Sequence, residues 1–339
     1  MRALSRVALA LLACATAASA EPPPLPAPLE GTVVDGEFQP GDLGWLRGRF
    51  ADATEADTAR LAEVKGWLKL CAERATADER ADLLALQADA SQLSEQMYGE
   101  PACAAVQITV AAPLPATMTF EQFVAARTEV QPIVTAWLAG ATTGAAAVMP
   151  YDQIGRPIAE AVAIDQAARK GLRWNDMGGP ALPEPLMAVV SMLLGLEMDK
   201  IDRASTAMLR DLVQTHGWPT VDGAGKPSLD GAWLLVQHAD HDPAWQVTAL
   251  RLLQPLAASG QVSASNTAYL TDRVQVNLTG RQTYGTQFHC VEGHNIPRPI
   301  DDEAEVDARR ASAGIGTLAD YKQLMAERFG DRFCPPATP

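Results

Sequence analysis

Apolar residues recur at steps of three and four along most of this chain, and polar residues fill the positions between them. Leu61, Val64, Trp67 and Leu68 keep helical spacing, and Leu83, Leu84, Leu86 and Leu93 resume it after Thr76-Ala77-Asp78-Glu79. The segment from about 53 to 98 therefore predicts two helices that turn at those four residues. A further helix is predicted over 120–138 and another over 159–172. Leu186 to Leu196 and Ile201 to His216 read as one long helix or two consecutive ones, stopped by Gly217. Trp233-Leu234-Leu235-Val236 is wholly apolar and expects burial. Asp242-Pro243 has the chemistry of a helix cap followed by a first helical residue, so a helix should run from there through Leu256, with another over 264–276.

The period changes only near the end. Tyr284, Thr286 and Phe288 alternate, and Glu292-Gly293-His294-Asn295 supplies a turn, so 281–300 predicts a β-hairpin. Helices over about 302–312 and 318–329 close the chain. The expected class is mainly α, with a helical N-terminal domain over 31–150 and a helical C-terminal domain over 156–330 that bears a small β-hairpin.

The first residues change how the cysteines are read. Arg2 and Arg6 precede the apolar run Val7 to Ala13, and Ala18-Ser19-Ala20 stands just before Glu21, the pattern of a secretory signal over 1–20. Leu11-Leu12-Ala13-Cys14 offers a second processing route in which Cys14 is lipidated. A Pro-rich leader follows over 21–30. No later segment has the roughly 18 uninterrupted apolar residues of a membrane span. The expectation is a periplasmic or secreted protein, or alternatively a lipoprotein. In an oxidising compartment Cys71, Cys103, Cys290 and Cys334 allow three pairings, and chain order favours Cys71 with Cys103 and Cys290 with Cys334. The formal charge of −14 argues against a nucleic-acid partner, since duplex binding requires Lys and Arg to neutralise phosphates.

Candidate chemistry gathers in the C-terminal half, in the order His216-Gly217-Trp218-Pro219, Gln237-His238-Ala239-Asp240-His241-Asp242, Asp272-Arg273 and Tyr284-Gly285-Thr286-Gln287. A histidine at the end of a buried helix is a candidate general acid or base, so His238 takes that role, with Asp240 orienting it and Tyr284 aiding polarisation. The planar fork of Arg273 suits an anionic group on a ligand, and His216, Gln237, Asp272 and Gln287 complete the expected binding set. Each has a plainer reading: a satisfied core histidine, a structural ion pair, a loop tied to helices. His238 and His241 with Asp240 and Asp242 raise the question of a metal. However, Asp242 serves as a cap and His241 lies in the turn facing solvent, so neither a metal nor a cofactor is assigned. Nucleophile elbows, Walker loops, dinucleotide-binding glycine motifs and His-Glu-x-x-His are missing.

This ordered set, with Asp165-Gln166, Arg169 and the helix through Asp202 upstream and Pro299 to Asp301 downstream, resembles a bacterial domain family without an assigned activity. The likeness covers about 157–321. It supports the domain boundary and the choice of residues and implies no mechanism. Two functions stand at this point. One is a noncatalytic binding or envelope-associated module whose polar residues fix helix packing. The other is a periplasmic hydrolase acting on an anionic small molecule or peptide.

Overall fold

The computed structural model describes residues 23–39, 41, 43–93, 99–146, 154–176, 181–220, 226–328 and 334. The signal segment, Cys14 and the start of the leader lie outside them. The protein is mainly helical, with two small antiparallel strand pairs.

Helix α1 (Glu55–Ala85) begins with a capping box in which Thr54 accepts from the Asp57 amide at 3.2 Å and Asp57 accepts from the Thr54 amide at 3.0 Å. It runs straight through Thr76-Ala77-Asp78-Glu79, where the sequence pattern expects a turn. Those residues include neither Gly nor Pro, and the Arg74–Asp78 ion pair at 3.4 Å spans the stretch at helical spacing. The break comes later, at Gln87, whose φ is +54°. The partner of α1 across the Cys71–Cys103 disulfide is α2 (Pro101–Ala111), which opens on a proline. The cysteine staple thus joins α1 to α2, and the second disulfide joins Cys290 to Cys334.

Helices α3 (Phe120–Ala146) and α4 (Gly155–Gly171) follow, and then α5 (Glu184–His216), which is one continuous helix. Next come α6 (Lys226–Gln237), α7 (Pro243–Ala258) and α8 (Ala264–Thr279). Strands β1 (Val33–Val34) and β2 (Glu37–Phe38) pair near the start, and β3 (Phe288–Val291) pairs with β4 (His294–Pro297) around Glu292-Gly293. The closing helices are α9 (Val306–Ser312) and α10 (Leu318–Arg328), the first preceded by a short 3-10 turn over Glu303–Glu305. The alternation expected from Tyr284 onward becomes strand only at Phe288, because the amides before it are taken by side chains rather than by a neighbouring strand.

Among the described residues two large apolar cores hold the molecule, each drawing on both halves of the sequence, and a small third cluster joins Ile300, Val306 and Leu318. The first packs Leu46, Val64, Phe123 and Val130 against Val189, Val190 and Leu194 of α5. The second packs Ile158, Leu209, Val236, Leu253 and Leu270 with Leu83 and Leu93 from upstream. Helix α5 contributes its first half to one core and its second half to the other. At Gly231 of α6, an added methyl group would lie 2.8 Å from Ile158 Cγ2 and 3.2 Å from Val162 Cγ2 of α4. The two helices that carry the candidate site therefore pack at that glycine with no room for a side chain.

That contact reverses the usual sign of a glycine replacement. Gly66→Ala, at an exposed position of α1 with nothing within 4 Å, should stabilise by about 0.5–1 kcal/mol through helix propensity. Gly231→Ala should instead destabilise by about 1–3 kcal/mol, because the contacted methyl sits on the Cβ of Ile158, a buried β-branched residue whose χ1 is restricted in a helix. Chemical denaturation of the two variants checks both signs.

Candidate functional site

Helix α4 places Asp165 and Arg169 one turn apart, a spacing that brings side chains onto the same face. Asp165 has no solvent exposure, so its carboxylate must find partners within the protein. Its Oδ1 meets His238 Nδ1 at 2.8 Å and Arg169 Nη1 at 2.6 Å, and its Oδ2 accepts from Gln166 Nε2 at 2.8 Å. Arg169 then turns its other nitrogen to Asp202 of α5, donating to both carboxylate oxygens at 3.1 and 3.0 Å. One guanidinium therefore bridges two carboxylates.

His238 follows the last residue of α6, its amide bonded to the Leu234 and Leu235 carbonyls at 3.2 Å each. With a carboxylate on Nδ1, the hydrogen-bond network assigns the proton to Nδ1 and leaves the lone pair on Nε2. The side chain is 17% exposed. Asp202, Asp165 and His238 each bring a ligand-type atom within 4.8 Å of the others.

Electrostatics separate the two carboxylates. Burial would raise Asp165, but the hydrogen bond and charge of His238, with Arg169 and Gln166, outweigh it and hold the group below its ordinary range. Burial pushes Asp202 up to about 7 against the pull of Arg169, with Asp165 and Asp240 adding repulsion. Paired acids with divergent proton affinities are the pattern of sites that move protons. The same trio has the residue types of a metal centre. Arg169 already supplies the positive charge beside both carboxylates, and a cation would have to compete with it.

Asp240 does not face His238. Two residues on in a tight turn it points elsewhere, and Arg273 of α8 grips it with both Nε, at 2.8 Å, and Nη2. Gln246 Nε2 at 3.1 Å and Asn277 Nδ2 at 3.5 Å donate to the same carboxylate. The orienting acid for His238 is thus Asp165, 73 residues upstream, and the fork of Arg273 is engaged by protein rather than aimed at a ligand. Gln237 is buried beside the turn.

The remaining candidates hold the loop together. Asp272 is fully buried and accepts the amides of Thr283, Tyr284 and Thr286, each at 2.8 Å. Burial raises its carboxyl even against those bonds. The Tyr284 carbonyl accepts from Arg310 Nη1 at 2.7 Å, and Gln287 donates its amide to Gln282 Oε1 at 2.8 Å and its side chain to Thr286 Oγ1 at 3.1 Å. Gly285 sits at φ +73° with Ile300 and Leu318 pressed against it, so the motif glycine is required by backbone and packing alike. His216 is exposed in the last turn of α5. His241, expected to face solvent, is partly buried instead and lines a cavity of about 170 Å³ with Arg74, Asp78, Glu79, Asp82 and Glu100. Within it, burial and the nearby Asp242 push Glu79 up to about 8.

These shifts set the slope of stability with pH. Asp202 and Glu79 bind a proton more tightly folded than unfolded, so the native state holds more protons between their ordinary values, 3.8 and 4.5, and their raised values near 7 and 8. Stability should fall as pH rises through that interval and level off above it. Burial lowers His241, which opposes this trend only below its ordinary value of 6.5. Between about pH 6.5 and 8 the carboxylates act alone, so calorimetry should show Tm dropping, and Glu79→Gln should shallow the drop. A Tm that rises across this range would contradict the assignment.

A family model described as a family of unknown function, DUF6624, matches residues 162–333. The match takes in Asp165, Arg169, Asp202, His238, Asp240 and Arg273, and it begins beyond α1, α2 and α3. A search of curated proteins and a search of solved structures each returned no match. With half of its length covered by that model, the chain belongs to the DUF6624 family.

Proposed function

We propose that this is an exported protein whose DUF6624 domain carries an acid–base centre suited to hydrolysis. The observation that carries the reading is the 2.8 Å bond between His238 Nδ1 and the wholly buried Asp165, with the imidazole reaching partial exposure. A carboxylate on one ring nitrogen fixes the tautomer, steadies the ring and strengthens the other nitrogen as a base. In this reading Nε2 takes a proton from an attacking water. Asp202, within 4.8 Å and raised to about 7 so that a substantial fraction holds its proton at neutral pH, returns one to the leaving group. Arg273 is held by Asp240, so an anionic substrate group would compete with that carboxylate. Two disulfides support an oxidising compartment, and no described helix is long and apolar enough to cross a membrane. A periplasmic or secreted location, with a lipid anchor at Cys14 as the alternative, is part of the proposal.

A noncatalytic binding or envelope-associated module is the second reading, favoured by the mutual pairing of Asp240 with Arg273 and of Arg169 with two carboxylates. Charge networks saturated in this way hold helices in register without doing chemistry.

His238→Ala separates the two. For an acid–base centre, hydrolysis of a panel of aryl ester, phosphate and amide substrates should fall at least about 10²-fold in a variant that stays folded, with a stability loss of about 1–2 kcal/mol because buried Asp165 keeps Arg169 and Gln166 but loses one partner. Asp165→Asn should cost more, about 2–4 kcal/mol, because it leaves Arg169 and His238 with a neutral partner in a buried place. A wild-type protein inert toward the panel, together with a loss of several kcal/mol in His238→Ala, would establish the second reading.

A further inference from the structure

The family match starts at residue 162, yet the segment that carries His238 is gripped from outside it. Glu79, on α1, accepts a hydrogen bond from the Ala244 amide at 2.6 Å across 165 positions of sequence. Ala244 lies in the first turn of α7, where amides have no helical acceptor of their own. Asp242 caps the same helix end through the Trp245 amide at 2.8 Å, and Arg210 of α5 pairs with its other oxygen. Two carboxyl groups therefore serve one helix start, one from within the turn and one from α1.

The environment explains how they coexist. Asp242 is the chief repulsive neighbour of Glu79, Asp82 adds to it and Arg210 relieves part of it; Arg74, Asp78, Glu100 and His241 line the cavity alongside. With its carboxyl raised to about 8, Glu79 is mostly the neutral acid at pH 7. Its oxygen can then accept the Ala244 amide without placing a second full charge against Asp242. The end of α1 is itself fixed, since Leu83 is fully buried in the second core.

From Ala244 back to His238 the chain is short and internally bonded. The Asp242 amide donates to the Ala239 carbonyl at 3.0 Å, and the Ala239 amide donates to the Val236 carbonyl at 3.1 Å. Ala239 is buried, so the turn has little room to move independently of the start of α7.

We propose that Glu79 is a positioning residue for His238: by clamping the start of α7 it fixes the His238–Asp242 turn, so that the N-terminal helix completes the site of the family domain. The inference rests on His238 being the working group of that site. It needs an acceptor at residue 79, not a negative charge, and this sets the test. In full-length protein with 15N-labelled histidine, the ring nitrogens of His238, assigned by comparison with His238→Ala, report its tautomer and its bond to Asp165. Glu79→Ala should move both ring resonances toward values for exchanging tautomers, and Glu79→Gln, which keeps the acceptor oxygen, should restore them. Glu79→Met conserves volume without an acceptor and should behave as Glu79→Ala does, which covers the case in which the smaller side chain fails to fold. Unchanged His238 resonances in Glu79→Met, beside a displaced Ala244 amide signal, would overturn the proposal. The ring spectra need no substrate, so failure of the catalytic reading would show separately, as His238→Ala with undiminished turnover.

Discussion

A carboxylate with no access to water is the constraint around which the C-terminal half is arranged. Burying Asp165 is unfavourable unless its charge is answered inside the protein, and three groups answer it: His238, Arg169 and Gln166. Those partners come from α4 and from the end of α6, and Arg169 extends the network to Asp202 on α5. The arrangement of three helices is thereby tied to one ionised group. The same two helices, α4 and α6, pack closely at Gly231 and are joined by the Asp165–His238 bond, so packing and charge pairing act on one helix pair.

The helical class, the long helices and the cap at Asp242-Pro243 were legible in the sequence because they depend on local periodicity and local capping chemistry. The β3–β4 hairpin was legible for the same reason, through its Glu292-Gly293 turn. The continuity of α1 was not. Polar residues at 76–79 resemble a turn when only hydrophobic spacing is considered, but they remain helical where no Gly or Pro interrupts and where the Arg74–Asp78 ion pair reaches across them. The alternating residues from Tyr284 to Thr286 misled in the opposite direction. Their amides go to Asp272, a side-chain acceptor that periodicity cannot reveal.

The candidate site was half visible. His238 could be chosen from its place at the end of an apolar helix, whereas its orienting acid could not be read from its sequence neighbours. Asp240, two residues away, was the obvious choice by proximity, yet residues two apart in a tight turn diverge, and Asp165 took the role from 73 positions upstream. A signal did exist: Asp165 and Arg169 stand four apart on α4, with Asp202 on the following long helix, and all three lie within the family match. What no local pattern could show is that Arg169 would join both acids or that Glu79 would arrive from another part of the chain.

Helix α5 has a consequence for how this protein can change over time. Its first half is embedded among N-terminal residues and its second half, with Asp202, faces the polar network, so the 33-residue rod acts as a shared axle. Inserting a single residue at its middle would rotate everything downstream by about 100° and advance it by about 1.5 Å. Asp202 would swing away from Arg169 while Val189 and Leu194 stayed seated. An inserted residue in the middle of α5 would thus unseat one end of the rod from its surroundings, so the spacing between its two halves is mechanically locked.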